Sequence, residues 1–512
     1  MERVGVAPAV KSSLLVSLAV LSAAALAGCA GGEKPDGPAP EEGCPTTPFD
    51  PTGVRRVDPS HDPLGPLIDR DPWDFEATNV RTCSLPAIGW SALAEDNVPH
   101  KYIGEMDMRG DLDLGAVAVL GNGEPSRVYL VDITDRAAPQ VLAAIDQEGV
   151  YLVDVKFSDD GQVLYLASQN LPTDGELSGL PELAPPTGFS VYNVEDPAAP
   201  AYLGFVADPQ VGCHMLDPVQ VAAGQDAVFC VSQQVRSYLI QRDGPVLVNL
   251  GFVDLFPTDG GVPVPSGVPA LGDPTGSLSS GPHDMTAYHE GGAFGEGRSH
   301  LVVSHWDSGV RVFDITDAPL VTQVGVWQGE GARHYDGNVH TAMMFDTAEG
   351  RYLIASPEMT YPGVVPALWV LKADDLGALE LVGEWYHPGE YTSDGNGTGG
   401  PLLLTTHQWQ VAPTGAAVSV EDVRIYLTYN HGGIWVLDLG AVLAGDNAGA
   451  VLGFNLARAP LDPEVSVGNA VLSTWDVNVV DGHIYGTDRA TGLWVFHYQG
   501  DTLGDARLTG FA

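Results

Sequence analysis

Four histidines, His214, His283, His340 and His407, recur at intervals of some tens of residues, each at the start of an apolar, strand-like run. Neutral imidazoles brought together from separate strands form a good site for copper, zinc or iron. Such a site works only if the ring nitrogens converge to within about 2 Å of one point. Two further runs of the same kind start with Val153-Asp154 and Trp475-Asp476, which places Asp154 and Asp476 beside the proposed cluster. A second polar set, His305, Asp307, Asn430, His431, Asp488 and Arg489, falls at turns between later strands. If those turns share one end of the fold with the histidines, Asp307 and His431 stand as supporting residues. Each histidine also has a bland reading, as a polar group that hydrogen-bonds a neighbouring strand. Four at matched positions weigh against that reading.

The element that must position these residues is a repeat. Val302–Ser304 is an apolar strand, Gly309 falls in a tight turn, Val310-Arg311-Val312-Phe313 is a second strand, and Asp314-Ile315-Thr316-Asp317 reads as an exit turn. Glycine supplies the positive φ that hairpin turns need, and Asp stabilises the exit. The second of these strands recurs at Val128–Asp132, Ser190–Val194, Val235–Ile240, Leu368–Lys372, Ile434–Leu439 and Leu493–Tyr498, which makes seven copies. A further strand often follows, as at Tyr202–Phe205, Val321–Val326 and Leu381–Trp385. Seven units of about four strands predict an all-β, seven-bladed β-propeller over 102–512. Its first inner strand is the least clear: Met106 to Leu114 is weakly patterned, and Tyr102–Glu105 looks like an outer strand. Ring closure is expected from that segment or from Leu508–Phe511. The tryptophans at 306, 369, 385, 409, 435 and 494 are expected to pack between blades.

The strings Val131-Asp132-Ile133, Val312-Phe313-Asp314-Ile315 and Val436-Leu437-Asp438-Leu439 resemble LVIVD repeats, which occur in secreted and surface bacterial propellers. The resemblance implies the fold and is nearly silent on activity. A second likeness covers one blade. His283-Asp284-Met285, then His305-Trp306, then Val310–Asp317 is similar to a blade of the selenium-binding protein/methanethiol oxidase family. That family carries copper-binding histidines on inner strands, so the resemblance implies a metal role for His283. Its cysteine motifs have no counterpart here.

Arg3 and Lys11 precede an apolar run, Ser12–Ala25, which leads into Leu26-Ala27-Gly28-Cys29. The run is short for a membrane-spanning helix. The box looks like that of a bacterial lipoprotein signal peptide, which implies cleavage after residue 28 and lipidation of Cys29, palmitate included. No Asp follows the cysteine, so the outer membrane is the expected address, on its periplasmic or outer side. Residues 29–65 are dense in Pro, Gly and acids and read as a flexible tether. Residues 66–101 read as an irregular N-terminal cap. In an oxidising compartment Cys44, Cys83, Cys213 and Cys230 form two disulfides, and locality favours Cys44–Cys83 and Cys213–Cys230.

Formal net charge is −43, so nucleic acid is not an expected partner. Asp394–Gly399 looks like half a calcium loop, but Thr405 stands where an EF-hand needs Glu, so calcium is a weak expectation. No phosphate-binding glycine loop, nucleophile elbow or HExxH occurs, which disfavours the hydrolases that use them. Two functions remain open. One is a metal-dependent oxidoreductase. The other is a non-catalytic binding or scaffold module that docks a protein or glycan at the same face. The membrane partner in both is reached through the N-terminal lipid.

Overall fold

The computed structural model describes residues 85, 87–93, 103–120, 125–147, 150–169, 187–208, 212–231, 235–243, 246–255, 282–305 (except 293 and 296), 309–327, 339–357, 367–386, 406–429, 433–455 (except 448), 474–488 and 492–498. Within them, seven four-stranded antiparallel sheets form a seven-bladed β-propeller. Blade 1 is β2 (Ile103–Arg109), β3 (Leu114–Val119), β4 (Ser126–Asp132) and β5 (Gln140–Gln147). Blade 2 is β6 (Tyr151–Phe157), β7 (Val163–Gln169), β8 (Gly188–Asn193) and β9 (Ala201–Ala207). Blade 3 is β10 (Met215–Ala222), β11 (Gln225–Val231), β12 (Val235–Asp243) and β13 (Val246–Asp254). Blade 4 is β14 (Pro282–His289), β15 (Ser299–His305), β16 (Gly309–Asp314) and β17 (Thr322–Trp327). Blade 5 is β18 (Val339–Thr347), β19 (Gly350–Pro357), β20 (Ala367–Lys372) and β21 (Glu380–Tyr386). Blade 6 is β22 (Thr406–Ala412), β23 (Arg424–Tyr429), β24 (Gly433–Asp438) and β25 (Val451–Asn455).

Blade 7 contains β26 (Thr474–Val480), β27 (His483–Asp488) and β28 (Gly492–His497) from the end of the chain, and β1 (Ala87–Ser91) from its beginning. Trp90 lies opposite Trp494 in that closing pair. Ring closure therefore comes from Ala87–Ser91, inside the stretch expected to be an irregular cap. It does not come from Tyr102–Glu105, because Ile103–Arg109 is the innermost strand of blade 1. Five residues with one buried face carry too little periodicity to announce a strand, and the pairing edge that recruits them lies about 400 residues away in the chain. Leu508–Phe511 lies outside the described residues.

Burial follows strand rank. Second and third strands are covered on both sides, as in β3, whose six residues are all buried. The outer strand β5 is mostly exposed. Continuous Val, Ile, Leu and Ala runs suit strands packed on both faces. Of the tryptophans expected between blades, Trp385, Trp409, Trp435 and Trp494 are no more than 2% exposed and Trp369 is buried, while Trp306 lies outside the described residues. The recurring Asp at the end of the third strand caps the exit turn. Asp132 accepts from Thr134 N–H at 2.8 Å, and Asp314 from Thr316 N–H at 2.9 Å. That bond is the physical content of the repeated Val-Asp-Ile-Thr pattern. Among the described residues no helix is long and apolar enough to cross a membrane.

Cys213 and Cys230 are bonded, joining the entry of β10 to β11. Cys44 and Cys83 lie outside the described residues. The bridge closes a loop of sequence separation 17, for which chain entropy gives about 3 kcal/mol. Paired Cys213→Ala, Cys230→Ala replacement should lower unfolding stability by about that amount. Denaturant titration of the oxidised wild type against the variant checks it.

Candidate functional site

The seven inner strands start in register, so equivalent residues form layers around the axis. The first layer consists of Gly104, Val153, His214, His283, His340, His407 and Trp475. The four histidines expected to meet are consecutive in space. Ring centroids are 4.6 Å apart for His214–His283, 4.2 Å for His283–His340 and 4.5 Å for His340–His407. Trp475 continues the arc, 3.7 Å from His407. His340 and His407 are buried, whereas His214, His283 and Trp475 are half-buried. The strand starts thus bring the predicted imidazoles together at one end of the hub.

Each ring leans on its neighbour blade. His340 Nδ1 lies 3.0 Å from the carbonyl oxygen of His407, and His407 Nδ1 lies 2.8 Å from that of Trp475. A carbonyl only accepts, so both Nδ1 atoms carry the proton and Nε2 keeps its lone pair. His214 Nδ1 is 3.2 Å from Gln169 Oε1. Burial drives these rings to the neutral form: it lowers His214 to about 4 and His340 to about 3. It lowers His283 well below the usual value, helped by repulsion from His340, His214 and His407. The rings do staple blades together, and they also form a continuous imidazole surface. They meet edge-on or tilted around the hub, with interplanar angles of 71°, 42° and 51°. Among the described residues no group of three or more His, Cys, Asp or Glu side chains is arranged to hold a metal ion.

The second layer is Glu105, Asp154, Met215, Asp284, Thr341, Gln408 and Asp476. Asp154 and Asp476, expected beside the imidazoles, belong here and brace the next inner strand. Asp154 Oδ2 accepts from Leu216 N–H at 2.9 Å, and Asp476 Oδ2 from Met106 N–H at 2.8 Å. Gln408 reaches across the hub, donating to Asp284 at 3.3 Å and to Glu105 at 3.5 Å. Burial raises Glu105 well above the usual carboxyl range, with Asp476 and Asp154 adding to it. It raises Asp284 and Asp476 to about 6. Lys156 Nζ pairs with Asp154 at 3.2 Å. Burial works against its charge, but Asp154, Asp107, Asp476 and Glu105 outweigh it and raise the ammonium pKa.

A cavity of roughly 180 Å³ lies on this carboxylate side, lined among others by Glu105, Asp107, Lys156, Asp217, Asp284 and Asp476. The four histidines are not in its lining. Asp107 and Asp217 staple blades as the second layer does, accepting from Phe157 N–H at 2.8 Å and Ala287 N–H at 2.6 Å. Glu105, Lys156 and Asp217 were missed in the sequence reading. The signal for Glu105 was present: an acid follows the first-layer residue in Val153-Asp154, His283-Asp284 and Trp475-Asp476, and Gly104-Glu105 repeats it. Of the turn residues, His305 is buried at the end of β15 and Asp488 at the end of β27. Asp307, Asn430, His431 and Arg489 lie outside the described residues, as do Cys29 and the half calcium loop.

No family model matches the chain, and no curated protein matches it. Among solved structures, the chain is similar to the β-propeller domain of Cps50 (Swd1) from Myceliophteria thermophila, with 11% identity, a TM-score of 0.45, and coverage of 78% of this chain and 97% of that one.

Proposed function

We propose that the chain is an envelope-anchored, non-catalytic binding propeller that docks a protein or glycan at the end of the hub where the imidazole arc opens. One observation carries the reading. His214, His283 and Trp475 are half-buried on a rigid ring, above a layer in which Gln408 ties Asp284 to Glu105. Flat, uncharged rings that are half-buried at the starts of the inner strands suit stacking and hydrogen bonding to a polar ligand. The acidic surface repels nucleic acid. The Leu26–Cys29 box supports lipid attachment at Cys29 and placement at the outer membrane.

A second reading, transition-metal binding with oxidoreductase chemistry, is favoured by the tautomers of His340 and His407. Donation of Nδ1–H to a backbone carbonyl places the lone pair on Nε2, the tautomer found in histidines that ligate copper or zinc through that nitrogen. A bound metal would supply Lewis acidity or electron transfer.

Binding of the purified full chain to an envelope glycan array, with His283→Ala and Trp475→Ala, separates the two. Glycan binding weakened at least about tenfold in both variants supports the docking module, since each removes a stacking face. Stoichiometric copper in the wild type, lost in His340→Ala, would instead establish the metal reading. Lipidation is read separately. Cys29→Ala should move the protein from the membrane fraction to the soluble one, and unchanged fractionation rules the anchor out.

A further inference from the structure

Arginine stands at the same register in the third strand of two consecutive blades. Arg236 lies opposite Cys230 and Arg311 opposite Val303. Cys230 and Val303 in turn face Leu216 and Met285, each two residues after a first-layer histidine. The two arginines are therefore related by one blade of rotation. Arg236 points into the seam between blades 2 and 3. There it pairs with the carboxylate of Asp208, just after β9, and Tyr238 donates to the same carboxylate at 2.6 Å.

Arg311 points into the seam between blades 3 and 4. Leu301, Val303 and Phe313, on its face of the sheet, pack there against Phe229, Val231 and Val235. Tyr238 has become Phe313 at the matching position. Among the described residues no carboxylate stands within ion-pair distance of Arg311. Arg311 is 4% exposed, and its Nε and Nη2 are enclosed without a hydrogen-bond partner. These two N–H groups lie along one edge of the guanidinium, the parallel pair that grips a carboxylate with two bonds. Ser237, fully buried and two residues from Val235, turns an enclosed hydroxyl with no partner into the same seam. A buried guanidinium with no carboxylate beside it among the described residues is costly, and it is more anomalous in a chain of net charge −43.

The geometry points to a carboxylate-binding site in the seam between blades 3 and 4, where a ligand carboxylate meets the Nε–Nη2 edge of Arg311 beside Leu255, which stands at the position that Asp208 holds in the seam before. Ser237 is a further donor from the opposite wall. The site is separate from the hub mouth, so its failure would leave the docking proposal untouched.

The full chain, refolded in acetate or in phosphate at fixed ionic strength so that the enclosed fork can load, tests it by thermal unfolding. Acetate should raise the midpoint saturably and bind at least about tenfold tighter than phosphate, because two coplanar oxygens match the fork. Arg311→Lys, which keeps the charge but not the fork, should weaken acetate at least about tenfold. Arg311→Met should abolish the response. Should Arg311→Met not fold, Ser237→Ala gives the second measurement, with acetate binding weakened. An acetate-independent midpoint in the wild type, an equal response in the variants, or tighter binding of phosphate overturns the assignment.

Discussion

Arg236→Met should cost about 3–5 kcal/mol of unfolding stability, the usual result of removing one partner of a buried ion pair. The side chains of Arg236 and Asp208 are 5% and 2% exposed. Without the guanidinium, the Asp208 carboxylate loses its buried countercharge, and the Tyr238 hydroxyl and the N–H of Gly212, 3.3 Å away, are neutral donors that do not replace it. The pair also ties the end of blade 2 to the third strand of blade 3, so its loss should loosen that seam ahead of the others. Double replacement, Arg236→Met with Asp208→Asn, should recover much of the loss, because the stranded charge is gone. Denaturant unfolding of the three proteins measures both steps. A single variant as stable as wild type would show that the charge is hydrated in solution.

The second large effect is on acid stability. His340 is buried, and burial lowers its pKa to about 3. An unfolded chain protonates that imidazole near its ordinary value. Between about pH 6.5 and 3 the unfolded state therefore binds the extra proton, and stability falls as pH falls through that window. The limit for this one group is roughly 5 kcal/mol. Above pH 7 both states are neutral and it contributes nothing. The hub carboxyls oppose it. Burial raises Asp217 to about 7 and Asp284 and Asp476 to about 6, so the native state holds more protons between about pH 4 and 6 and gains stability as pH falls there. The difference between wild type and His340→Gln isolates the imidazole. The variant should show a flatter acid limb below pH 6.5, and the two curves should run parallel above pH 7. Parallel curves at all pH values would mean that His340 protonates freely in the folded ring.

Much of this architecture was legible in the residues. The third strands are local features, and so are the exit turns capped by Asp132, Asn193, Asp314 and Asp438 in blades 1, 2, 4 and 6: strand alternation, a glycine turn and an Asx bond depend on neighbours within about ten residues. The matched histidines were legible for the same reason, since each opens an inner strand and the ring repeats that position around one axis. The acid one residue later was visible too, but its role was not. Strand alternation turns Asp154 and Asp476 away from the imidazoles and onto backbone N–H groups of the next blade.

Long-range pairing decided the rest. Ala87–Ser91 became a strand because β28 offered an unpaired edge, and no local pattern encodes an edge contributed from the far end of a chain. Arg236 and Arg311 look alike in sequence, each in an apolar third strand. Only packing against the preceding blade gave one of them a carboxylate and, among the described residues, left the other without one, because ion-pair partners are chosen by seam geometry rather than by sequence distance.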